Sequence, residues 1–84
     1  MKTLVMGYWP SVHDWCRETG KKLGDVCVVR DRWTMLGFPS GTELVLLSGW
    51  ESAKGAHDIV CEAQNVLGYS IKFWQPQTEV EYGP

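Results

Sequence analysis

The chain has little of what several classes of function require. Its 84 residues include only three cysteines, Cys16, Cys27 and Cys61, and no two of them stand in a Cys-x-x-Cys spacing. That excludes the common zinc and dithiol motifs, and an odd count leaves a thiol over whatever the pairing. Free thiols, buried and kept in a reducing cytoplasm, are the expectation. Positive charge is also scarce, with 8 Lys and Arg against 10 Asp and Glu and a net charge of -2. So weak a field does not release counterions from a polyphosphate backbone, and no nucleic-acid partner is expected. Long apolar runs are missing too. Leu44-Val45-Leu46-Leu47 is typical of the longest, far short of the ~20 residues of a membrane span. The apolar stretch after Met1-Lys2 is likewise too short for the core of a signal peptide. The expectation is a soluble cytoplasmic protein with no membrane partner, and no motif calls for a cofactor.

What the chain does have is tryptophan, five of them in 84 residues. A domain of this size buries only ~60 % of its unfolded surface, so it can hide one or two such rings completely. Indole is large and its N–H needs a partner, so several of the five should lie where something binds. With 44 % hydrophobic residues there is enough apolar side chain for one core and no room for a second domain.

The pattern along the chain is that of an α/β fold. Thr3-Leu4-Val5-Met6 is an uninterrupted apolar run ending at Gly7, as in a strand buried on both faces. Ser11, with Asp14 three residues on, resembles a capping box. Val12, Trp15, Cys16, Thr19 and Leu23 then repeat at helical spacing, so the first helix should run from Ser11 to near Gly24. Val26-Cys27-Val28-Val29 is a second buried strand. Residues 32–41 allow either a helical turn or an ordered loop, and Gly37-Phe38-Pro39-Ser40-Gly41 is turn chemistry. Leu44-Val45-Leu46-Leu47 is the third strand. Ala56, Ile59, Val60, Ala63, Val66 and Leu67 form a helical stripe, stopped where Gly68 can serve as a C′ glycine. Tyr69-Ser70-Ile71-Lys72-Phe73 alternates as a half-wet edge strand does. Residues 1–74 read as one domain and 75–84 as a C-terminal tail.

The order β-α-β-loop-β-α-β implies a small three-layer Rossmann-like domain. Its four mostly parallel strands should stand in the order 2-1-3-4, with two main helices. Ligands of such sheets bind outside the carboxyl ends of the strands. Those ends carry Gly7-Tyr8-Trp9-Pro10, Arg30-Asp31-Arg32-Trp33 and Ser48-Gly49-Trp50-Glu51-Ser52, and so three of the five tryptophans. Ordering 84 residues costs nearly as much as so small a core returns, so a lone copy has little margin and a homo-oligomer is expected.

Residues 44–68 give a more specific pointer. A buried strand, then Gly49-Trp50-Glu51-Ser52 and Gly55-Ala56, then a helix ending Leu67-Gly68, resembles the nucleoside 2-deoxyribosyltransferase-like proteins, especially small phage-encoded members. Gly7-Tyr8-Trp9-Pro10 matches more loosely the Gly-Pro loop that follows their first strand. A second, weaker resemblance is to Rossmann-like nucleotide binders at large. The first resemblance implies a nucleoside or nucleotide ligand. It also implies a glutamate nucleophile four positions after Gly55, where this chain has Ile59, whose alkyl group cannot form a glycosyl ester. Asp58 is one position away, but one residue swings a side chain ~100° around a helix.

Independently of any family, Ser48, Gly49, Ser52 and Gly55 flank a helix N-terminus, where free N–H groups attract anions, and Lys54 adds positive charge. The plainer alternative is that Ser52 caps the helix and the glycines only turn the chain. His57 reads equally as a phosphate contact or an exposed first-turn residue, and His13 as a surface residue. Arg30 can grip phosphate and Trp33 can stack on a base. Trp15 belongs to the core or to an oligomer contact, and Trp74 to either role. The expected function is therefore non-catalytic binding and sequestration of a nucleotide-derived small molecule. The ligand set is Gly7, Tyr8, Trp9, Pro10, Arg30, Trp33, Ser48, Gly49, Trp50, Ser52, Lys54, Gly55 and His57. A phage sponge for a cyclic ADP-ribose-type or cyclic oligonucleotide signal fits that description. The alternatives are a glycosidase or deoxyribosyltransferase using Asp58 or Glu62, and a protein-interaction module.

Overall fold

A computed structural model describes residues 3–74; the tail expected at 75–84 lies outside the described residues. Four strands, β1 (Thr3–Met6), β2 (Val26–Val28), β3 (Glu43–Leu46) and β4 (Ser70–Phe73), form one sheet in the order β2-β1-β3-β4. All pairings are parallel, with Val5 beside Val28 and Val45, and Leu46 beside Phe73. Three helices connect them: α1 (Trp9–Thr19), the single turn α2 (Arg32–Met35) and α3 (Ala56–Asn65). The expected small α/β architecture and strand order are present.

Strand alternation divides the core into two layers. Leu4, Met6, Leu44 and Leu46 point to one face, where Met35 of α2 and Ala56, Ile59 and Ala63 of α3 cover them. Val5, Val45 and Leu47 point to the other, against Val12, Trp15 and Cys16 of α1. The chain steps one way from β1 to β2 and the opposite way from β2 through β3 to β4. Crossovers of one hand therefore put α1 on one face and α2 with α3 on the other. The reversal of direction falls between β1 and β3, and in such sheets ligands bind at the carboxyl end beside that point.

Several local expectations need correction. The Ser11 capping box is not made: α1 begins two residues earlier, with Tyr8 at its N-cap and no side-chain cap bond. Asp14 instead pairs with Arg17 at 2.8 Å. The helix also ends early, because Gly20 adopts φ 73° and turns the chain left-handed. Leu23 accordingly lies in a separate 3₁₀ turn, Leu23–Asp25, and is exposed. Strand β2 is half-buried rather than buried, since it is an edge strand. Of the thiols only Cys16 is buried; Cys27 is half-buried and Cys61 is exposed on α3. Val66 leaves the stripe of α3 as its C-cap and is exposed, whereas Gly68 does take up the left-handed conformation, at φ 73°. The Tyr69 N–H then donates back to the Ala63 carbonyl at 2.8 Å, closing off the end of the helix.

Residues 32–41 resolve into α2 and a loop pinned from beneath. Asp31 caps α2, accepting from the Thr34 N–H at 3.0 Å and the Thr34 hydroxyl at 2.9 Å. Buried Tyr69 precedes β4 rather than belonging to it, and its hydroxyl donates to the Met35 carbonyl at 2.7 Å and contacts the Phe38 carbonyl at 3.2 Å. No helix among the described residues is long and apolar enough to cross a membrane.

Candidate functional site

The loops after β1 and β3 are joined through glycine. A Cβ on Gly7 would stand 2.8 Å from the Leu47 Cβ and 3.0 Å from the Ser48 carbonyl oxygen, so only a residue without one lets the two strand ends approach this closely. The Tyr8 N–H donates to that carbonyl at 3.0 Å. Tyr8 then lays its ring over Gly49, where an added Cβ would fall inside the ring, and Gly49 itself sits at φ 87°. The Tyr8 hydroxyl reaches the Ser52 hydroxyl at 2.7 Å. Ser52 thus belongs to a 3₁₀ turn, Trp50–Ser52, and does not cap α3, whose N-cap is Gly55 with no side-chain bond.

Beside this strap, over the carboxyl ends of β1 and β2, lies a cleft of about 390 Å³. This is towards the small end of the ~300–1,000 Å³ typical of small-molecule sites. Its floor is Met6, Val28 and Val29, and its walls are Gly7, Tyr8 and Trp9 on one side and Gly49, Trp50, Ser52 and Ala53 on the other. Arg30 is the one charged residue in the lining. Among the described residues Arg30 enters no salt bridge, so its guanidinium is free for an anion. Trp9, the first residue of α1, is about half exposed and meets the His13 ring edge-on at 4.8 Å. Trp50 is half-buried and held by the edge of His57, with ring centroids 5.1 Å apart.

Seven of the residues singled out in the sequence therefore share one cleft: Gly7, Tyr8, Trp9, Arg30, Gly49, Trp50 and Ser52. Pro10, Ser48, Lys54, Gly55 and His57 are outside its lining, as is Trp33. Trp33 projects from α2 with 74 % of its surface exposed and the Arg32 guanidinium 5.7 Å above its ring. The anion cradle expected at the start of α3 is thus not part of the cleft. Its lining lacks Lys54 and the first turn of that helix, and His57 acts on the site only through the Trp50 ring. Met6, Val28, Val29 and Ala53 complete the lining, and the only mark of them in the sequence is their place at strand ends and in the Trp50 loop.

The lining contains no carboxylate, imidazole or thiol, and its two hydroxyls, Tyr8 and Ser52, are bonded to each other. Ile59 is packed into the core against the sheet. Glu62, on the outer part of α3, is held by Arg32 at 2.9 Å, and Asp58 is exposed in the first turn of α3. No group of three or more potential metal ligands occurs among the described residues. No protein-family model, curated protein or solved structure matches the chain.

Proposed function

We infer that the chain binds a nucleotide-derived small molecule without transforming it. The observation that carries this reading is the meeting of Trp9, Trp50 and Arg30, which enters no salt bridge among the described residues, around one cleft of suitable size. Indole faces hold a planar base at ~1–3 kcal/mol each, and a guanidinium grips a phosphate through paired N–H donors. The resemblance to deoxyribosyltransferase-like proteins points to the same ligand class. The burial of Ile59 in the core and the absence of Asp58 and Glu62 from the cleft lining favour binding over glycosyl transfer. A small domain that holds a nucleotide in stoichiometric amount acts by sequestration. In a phage setting the molecule held would be a signal such as a cyclic ADP-ribose isomer or a cyclic oligonucleotide. The exposed Tyr8, Trp9, Trp33 and Phe73 fit a protein that also associates with copies of itself.

Calorimetry with AMP and adenosine tests the reading. Trp50→Ala should weaken AMP binding by about 5- to 150-fold, the loss of one stacked base, while the circular dichroism spectrum stays unchanged. Arg30→Ala should weaken AMP and leave adenosine nearly unaffected. AMP recovered intact after denaturing the complex supports sequestration. Free base in that extract, abolished by Asp58→Ala or Glu62→Ala, would instead establish the enzyme. Absence of AMP binding by the unsubstituted chain would remove the proposal.

A further inference from the structure

A second recess, of about 150 Å³, opens on the far side of Trp50, over the carboxyl ends of β3 and β4. It shares Gly49 and Trp50 with the main cleft, so the two recesses meet at this turn. The two differ in charge. Arg30 lines the larger, whereas the smaller is lined by Glu51 and Ser48, with Phe73 and Trp74 as aromatic residues beside them. The Phe73 ring stands edge-on to Trp50, centroids 6.3 Å apart.

We propose that this recess is a sugar subsite, and that the molecule bound is a nucleotide extended beyond its phosphates by a neutral ribose. The proposal rests on the nucleotide reading of the main cleft. Size sets the first limit, since the recess of about 150 Å³ has less than half the volume of the main cleft. A recess below the ~300 Å³ of ordinary small-molecule sites suits a single sugar ring rather than a second nucleoside. Charge sets the next. The Glu51 carboxylate, an acceptor only, repels phosphate and takes hydrogen bonds from vicinal hydroxyls. Hydrogen bonds to an ionised group are about twice as strong as neutral ones. Ser48 supplies a donor to the same ring, and the faces of Trp50 and Phe73 receive its C–H edges. The phosphates, excluded here, stay on the Arg30 side, so the ligand must cross this turn with its anionic part in one recess and its polyol in the other.

Calorimetry with ADP and ADP-ribose decides the matter, since the two differ by the terminal ribose. ADP-ribose should bind about ten-fold tighter than ADP, the effect of one or two charge-assisted hydrogen bonds. Glu51→Ala should bring the two affinities together while leaving that for ADP within about two-fold, and Phe73→Ala should narrow the gap. Equal affinities in the unsubstituted protein, or a preference for ADP-ribose that survives Glu51→Ala, overturn the sugar subsite and leave nucleotide binding standing. Failure to bind either ligand removes both.

Discussion

Gly49 shows how much of the site hangs on one residue. It is left-handed at φ 87° and lies directly beneath the Tyr8 ring, so two independent constraints demand glycine. Gly49→Ala should destabilise the protein by about 1–2 kcal/mol from backbone strain alone, and further because Tyr8 must swing away from Ser52. Chemical denaturation of a double-mutant cycle separates the two. In a Tyr8→Ala background Gly49→Ala should show only the backbone part, and an equal effect in both backgrounds would refute the ring contact. From the sequence, Gly49 was legible as a turn residue at a strand end. That it is also the seat of an aromatic ring was not, because Tyr8 is 41 positions away and only the pairing of β1 with β3 brings them together.

Among elements, α2 is the one whose existence depends most on side chains outside it. Four residues cannot sustain a helix by propagation, and α2 is held by the Asp31 cap at one end and the Tyr69 hydroxyl at the other. The Thr34 hydroxyl and then its N–H hold the Asp31 carboxyl below its ordinary 3.8, with a smaller contribution from the Arg30 charge. A folded-state value lower than the unfolded one stabilises above the unfolded pKa and loses that contribution as pH falls through the folded value. An NMR titration should therefore place the Asp31 midpoint under 3.8, with the Thr34 amide signal moving in step. A midpoint at or above 3.8 would contradict the cap. Asp31→Asn, which caps without titrating, should abolish the pH dependence at Thr34 and keep the turn. The sequence left this segment undecided between turn and loop. Its Asp-x-x-Thr spacing is a local cue, but the second anchor comes from a tyrosine that alternation alone assigned to the edge strand.

At the scale of the whole molecule, both sheet edges, β2 and β4, lack a further strand among the described residues, and large aromatic side chains are exposed around the carboxyl rim. Sedimentation equilibrium at tens of micromolar should show a species heavier than the 9.5 kDa chain, and a monomer under those conditions would refute self-association. The architecture was the most legible property of the sequence. Unbroken apolar runs mark strands covered on both faces, helical stripes mark the layers that cover them, and a single hand of crossover leaves few strand orders open. Composition likewise specified that tryptophan had to face outward somewhere, since a domain of 84 residues has no interior for five indoles. Tertiary structure alone decided which of them converge. Trp9 and Trp50 do so because the contacts of Tyr8 with Ser48, Gly49 and Ser52 join their loops, while Trp33, which also follows a neighbour of β1, is carried away by α2. A carboxyl-end position gives a residue's height above the sheet, but the turn that follows sets its direction, and that depends on contacts between segments far apart in the chain.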